Sequence, residues 1–81
     1  MNQRYTEQEE YLAFLRGKTV AILGYSPEGK EEALFLREKG IDVIIGIRPI
    51  DTELIELARK DGFEPLPLVD AVAKADISQV W

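Results

Sequence analysis

Cysteine and histidine are both absent from this 81-residue chain. Without cysteine there is no disulfide framework and no thiolate chemistry, which suits the cytoplasm. Without histidine the chain lacks the commonest general base at neutral pH and the commonest metal ligand. Basic residues are in deficit, with 10 Lys and Arg against 15 Asp and Glu, for a formal net charge of -5. No basic run or aromatic-basic interleaving offsets that balance, so a nucleic-acid partner is not expected. No apolar stretch approaches the roughly 18 residues needed to span a bilayer, and the opening MNQRYTEQEE is too acidic for a secretory leader. Neither a membrane nor a phosphate backbone is the expected partner.

What the chain does hold is the composition of an ordinary globular protein, 46% apolar and 31% charged, which argues against disorder. The length fits one small domain over residues 1–81. An N-terminal helix is expected over 6–16, with Thr6 as its cap, Glu9 three residues on, and Tyr11, Leu12, Phe14 and Leu15 as its apolar side. The run 19-TVAIL-23 reads as a buried parallel strand. A helix from Pro27 to Lys39 follows, stopped by Gly40. Gly29, Ala33, Leu36 and Gly40 recur along it at helical spacing, so a face of mostly small residues can lie close to a sheet.

The second strand is 41-IDVIIGI-47. Arg48-Pro49 breaks it, and Asp51 or Thr52 can cap a third helix carrying Leu54, Ile55, Leu57 and Ala58 on one side. Asp61-Gly62 closes that helix. Residues 63–66 are expected as a third strand, at an edge because of Pro65 and Pro67. A short helix over 68–75 should turn Leu68, Val72 and Ala75 inward, and 76-DISQVW-81 reads as a last strand. The β-α-β-α-β-α-β core over 18–81 is the order of an α/β fold, a short parallel sheet with covering helices. Right-handed crossovers put the first strand in the middle, the second and third to one side and the last on the other. Gly24 then lies where strand order reverses, the place where open sheets of this kind bind ligands.

The turn there, 24-GYSPEG-29, resembles a dinucleotide-binding loop altered at the phosphate. Gly24 and Gly29 stand where the first and third glycines of such a loop belong. Ser26 replaces the middle one, and Pro27 removes an amide donor from the phosphate cradle. The same residues also read as a self-contained helix start: Ser26 as N-cap, Pro27 at the first helical position, and Glu28 where a carboxylate meets the positive end of the helix dipole. Beside that carboxylate a bound phosphate loses about 1–4 kcal/mol, or one to three powers of ten in affinity. Both readings, a nucleotide loop and a structural cap, stand at this point.

Three collinear stretches, 15-LRGKTVAILGYSPEGKEEA-33, 43-VIIGIRPID-51 and 58-ARKDGFEP…VDAVAKADI-77, resemble the N-terminal cofactor domain of ketol-acid reductoisomerase. That resemblance implies a three-layer Rossmann-type half and an origin in branched-chain amino acid biosynthesis, on the way to valine and isoleucine. The family uses NADPH and magnesium. Gly24, Tyr25, Ser26, Glu28, Gly29, Arg48 and Thr52 are the cofactor-binding candidates it carries over. Arg48 matches the arginine at the adenosine end of NADPH, and is otherwise a solvated loop arginine. Thr52 offers the one hydroxyl where family serines hold the 2′-phosphate, while Asp51 and Glu53 would repel that group and accept from a ribose hydroxyl. NADP and NAD therefore both remain open, with binding weak or lost. Lys30 stands where relatives have a histidine near the active site.

The family's metal-binding acids and remaining catalytic groups lie in later segments, so the resemblance assigns this chain no catalytic residue and no metal. The rival reading is a structural or interaction domain without nucleotide. An uncovered sheet edge ending in Val80-Trp81 would also suit a homodimer.

Overall fold

The computed structural model describes residues 7–81 and orders them as α1 Glu7–Leu15, β1 Thr19–Leu23, α2 Pro27–Glu38, β2 Asp42–Gly46, α3 Thr52–Lys60, α4 Leu68–Lys74 and β3 Ile77–Val80. The Thr6 cap expected for α1 lies outside the described residues. All three strands are parallel, in the order β2-β1-β3. Val20 of β1 pairs with Val43 on one side and Ile77 on the other. The first strand is therefore central, and Val20, Ala21 and Ile22 are fully shielded from solvent. A continuous apolar run fits that position because both of its faces are covered.

Pleating divides the sheet residues between two faces. Val20, Ile22, Ile45 and Ile47 join Ala33 and Leu36 of α2 and Ala58 of α3 in the main core cluster, and the partly buried Val43 packs against it. Gly46 points the other way, toward Leu23 and toward Leu68 and Ala71 of α4. Helices thus sit on both sides of the sheet in three layers.

Two helices end alike. The Gly40 amide donates to Arg37 O at 3.0 Å and the Ile41 amide to Leu36 O at 3.0 Å. Gly40 takes the left-handed backbone this closure needs. At the end of α3, Gly62 and Phe63 repeat the pair of bonds to Arg59 O and Ala58 O.

Four expectations need correction. Residues 63–66 do not form a third strand. Leu66 makes a single parallel bridge to Gly46, with Ile47 N donating to Leu66 O at 2.9 Å and Leu66 N to Ile45 O at 2.8 Å. Pro65 and Pro67 flank it and have no N–H to extend the ladder. Asp51 stands before α3 but makes no side-chain cap bond. In α4 the buried residue is Ala71, whereas Val72 is 47% exposed. Gly46 draws α4 so close that only an alanine methyl fits. In α1, Leu15 is buried and Tyr11 and Leu12 pack on the core, while Phe14 is 60% exposed. Lys18 Nζ lies 4.7 Å from the Phe14 ring centroid, a cation–π contact at the surface.

Candidate functional site

The carboxyl ends of β1 and β2 lie side by side, and each feeds a loop that starts a helix. Gly24 leaves β1 with φ of +92°, which strongly disfavours any residue with a Cβ. Its amide donates to Gly46 O at 2.8 Å, so the two loops share one anchor. A Cβ on Gly24 would also lie 2.9 Å from Trp81 O.

Tyr25 is buried rather than displayed. Its hydroxyl donates to Asp61 Oδ2 at 2.7 Å, and its ring meets Phe63 edge-on at 6.2 Å between centroids. Burial, and then the bond to Asp61, push the phenol well above its ordinary range. The same bond holds the Asp61 carboxyl below the usual carboxylate range, helped by Lys30, whose Nζ is 3.4 Å away. The Tyr25 side chain is committed to the core, and only its main chain belongs to the turn.

Ser26 has extended backbone and accepts the Gly29 amide on Oγ at 3.1 Å. Its carbonyl accepts the Lys30 amide at 2.8 Å. Pro27 occupies the first helical position and Glu28 the first turn. Of the amides that a phosphate could meet at this helix start, Gly29's is taken and Pro27 has none. Gly29 is buried, and a Cβ there would lie 2.9 Å from Gly24 O and 3.0 Å from Trp81 Cβ. It serves close helix-to-strand packing, the role of the third glycine in such loops.

In the second loop, Arg48 reaches back to Asp51. Its Nε donates to Oδ2 at 2.9 Å and its Nη2 to Oδ1 at 3.3 Å. That pairing raises the guanidinium's already high pKa. The Arg48 side chain is 65% exposed. Thr52 is the exposed first residue of α3. The seven candidates thus fall into a turn of five, Gly24 to Gly29, and a loop pair, Arg48 and Thr52, joined by the Gly24–Gly46 bond.

Two participants carried no local signal. Asp61 lies 36 positions from Tyr25. Trp81 sends its indole N–H to Gln79 Oε1 at 3.2 Å, and Gln79 Nε2 donates to Tyr11 O–H at 2.7 Å. Tyr11 in turn donates to Glu32, which ties α1, α2 and β3 together. Among the described residues, no three His, Cys, Asp or Glu side chains gather as a metal site requires.

A central parallel strand passing through a glycine turn into a helix, beside a second loop at the neighbouring strand's end, defines a Rossmann-type α/β domain. The profile of the family described as acetohydroxy acid isomeroreductase, NADPH-binding domain, matches residues 14–81, and the chain belongs to that family. It is 44% identical over 77 residues to a ketol-acid reductoisomerase (NADP(+)) of Pyrobaculum calidifontis, covering 95% of this chain and 23% of the relative. A second such enzyme, from Bifidobacterium longum, is 42% identical over 74 residues, 91% of this chain and 21% of the relative. Among solved structures, an NADH-preferring ketol-acid reductoisomerase from an uncultured archaeon superposes with a TM-score of 0.78 at 37% identity, covering 85% of this chain and 22% of that one. The chain spans less than a quarter of the length of these relatives.

The residues fit a dinucleotide unevenly. In the second loop the Arg48 cation is held by Asp51 and the Thr52 residue is exposed. At the diphosphate, Ser26 Oγ holds one amide, Pro27 removes another and Glu28 adds negative charge, so the cradle does not fit a diphosphate as it stands.

Proposed function

We propose that this chain is the nucleotide-binding domain of a ketol-acid reductoisomerase and that it binds NAD or NADP weakly. The observation that carries the weakness is the Ser26 Oγ bond to the Gly29 amide at 3.1 Å. Helix-start amides are what anchor a diphosphate, and here the helix supplies its own acceptor. The Glu28 charge adds about one to three powers of ten to the loss. Membership of the NADPH-binding family supports the ligand class. Ketol-acid reduction itself, with magnesium, belongs to the longer relatives, and these 81 residues do not perform it alone. The setting is branched-chain amino acid biosynthesis in the cytoplasm.

Amide chemical shifts followed during titration with NADPH, NADH and ADP test the reading. Saturable shifts spreading from Gly24–Gly29 to Arg48–Thr52 are expected. No response up to about 10 mM contradicts it and leaves a structural domain that has lost its nucleotide.

A second reading concerns assembly. Among the described residues the outer edge of β3 has no strand partner, and Val80 beside it is 83% exposed. An open edge with apolar side chains invites pairing with another copy. Sedimentation at two concentrations distinguishes the cases: a rising mass supports a homodimer and a constant monomer mass refutes it.

A further inference from the structure

The end of β3 leans on the glycine turn from the side away from β2. The Trp81 amide donates to Leu23 O at 3.0 Å. A Cβ on Gly29 would lie 3.0 Å from Trp81 Cβ and 3.4 Å from its Cγ, and one on Gly24 would lie 2.9 Å from Trp81 O. One residue thus closes on both glycines. Trp81 is nonetheless 45% exposed, so burial alone does not fix its ring. A chain of hydrogen bonds does. The indole N–H donates to Gln79 Oε1 at 3.2 Å, Gln79 Nε2 donates to the Tyr11 hydroxyl at 2.7 Å, and that hydroxyl donates to the Glu32 carboxylate. Every donor points the same way, from β3 through α1 to a charged acceptor on α2. In such an order each bond polarises and strengthens the next.

We infer that this relay makes α1 a strap: through Tyr11 and Gln79 it holds Trp81 against the turn and keeps the turn closed to a diphosphate. This rests on the nucleotide-binding reading and deepens it, adding a control on the same site. Ser26 stands where the close approach of a diphosphate calls for glycine, so a diphosphate enters only as the turn widens. Gly29 is wedged between Gly24 O and Trp81. Widening therefore shifts Trp81 and strains the relay. A ligand that binds only the open turn loses affinity in proportion to the open fraction. Cutting the relay at Gln79, one step removed from the turn, should raise that fraction and tighten binding. Adenosine carries no phosphate, does not require the turn to open, and should be indifferent to the relay.

The test is a set of amide-shift titrations with NADH, ADP and adenosine on the wild-type chain, Gln79→Leu and Trp81→Phe. Leucine keeps the bulk of Gln79 and leaves the Tyr11–Glu32 bond in place, while phenylalanine keeps a ring without the N–H donor. Circular dichroism checks that each variant is folded. Both variants are expected to bind NADH and ADP more tightly than the wild type, by about threefold or more, with adenosine unchanged. The double variant should gain no more than either single one, because both cut the same relay. Trp81 is the sole tryptophan, so its indole N–H gives one assignable resonance. In the wild type that resonance should move as NADH saturates.

Affinities for NADH and ADP that are unchanged or weaker in either variant overturn the inference while leaving nucleotide binding intact. An equal gain for adenosine also overturns it, because a general loosening of the fold favours every ligand alike. Fully additive gains in the double variant overturn the shared relay. Failure of every protein to respond to any nucleotide refutes the binding reading, and the strap with it.

Discussion

Ser26 and Tyr25 sit next to each other and face opposite tasks. Ser26 satisfies the start of α2, and its replacement by alanine leaves the Gly29 amide without its acceptor. Ser26→Ala is expected to destabilise the fold by about 0.5–2 kcal/mol in urea unfolding. Glu28→Gln, which removes the charge at the helix dipole, should cost about 0.3–1 kcal/mol. Tyr25 satisfies the core and pairs with Asp61. Its pKa and that of Tyr11 are raised, Tyr11's to about 12, with burial the leading cause in both. A folded phenol that holds its proton more tightly than the unfolded one contributes in full below about pH 10, the ordinary tyrosine value. Stability should therefore fall as pH rises from about 10 toward 12. Tyr25→Phe and Tyr11→Phe should each flatten that alkaline limb; a limb unchanged in both variants contradicts the assignment. At the acid end Asp61 behaves oppositely. Its lowered pKa gives stability that is present above about pH 4 and lost as pH falls below it.

At the scale of elements, the sheet and its covering helices depend on close approach. A Cβ on Gly46 would lie 2.8 Å from Leu23 Cδ2 and 2.9 Å from Ala71 Cβ. Gly46→Ala is therefore expected to push α4 off the sheet, at about 1–3 kcal/mol in the same unfolding assay. Much of this layer was legible beforehand. The Ser-Pro-Glu start, the glycine stops at 40 and 62, and the apolar run of β1 each carry their instruction within a few residues. What could not be read depended on spacing in three dimensions. Prolines at 65 and 67 signalled an edge, yet not that one bridge would be all that remained of a strand. Helical periodicity in 68–75 offered two inward sides, and only the depth of Gly46 chose Ala71 over Val72. The Asp51 carboxylate was readable as a cap and as a ribose acceptor, but its grip on Arg48 is a choice among nearby partners. Tyr25–Asp61 joins groups 36 residues apart, and no local pattern announces such a bond.

For the whole molecule, the family relation and the altered turn pull in different directions. The fold places two loops where a dinucleotide lies in Rossmann-type domains, and the family binds NADPH. Within the turn, three residues supply the helix with the acceptor and the anion that a diphosphate would bring. The relation accounts for the architecture, and the substitutions account for the predicted weakness. The most direct test is an NADH titration, followed by amide shifts, of the wild-type chain and of a Ser26→Gly, Pro27→Ser, Glu28→Gln variant. Weak wild-type binding that tightens at least tenfold in the variant is the predicted result, on the scale of the charge effect at Glu28. Micromolar binding by the wild type with the Ser26–Gly29 bond intact, or a variant that binds no more tightly, would contradict it.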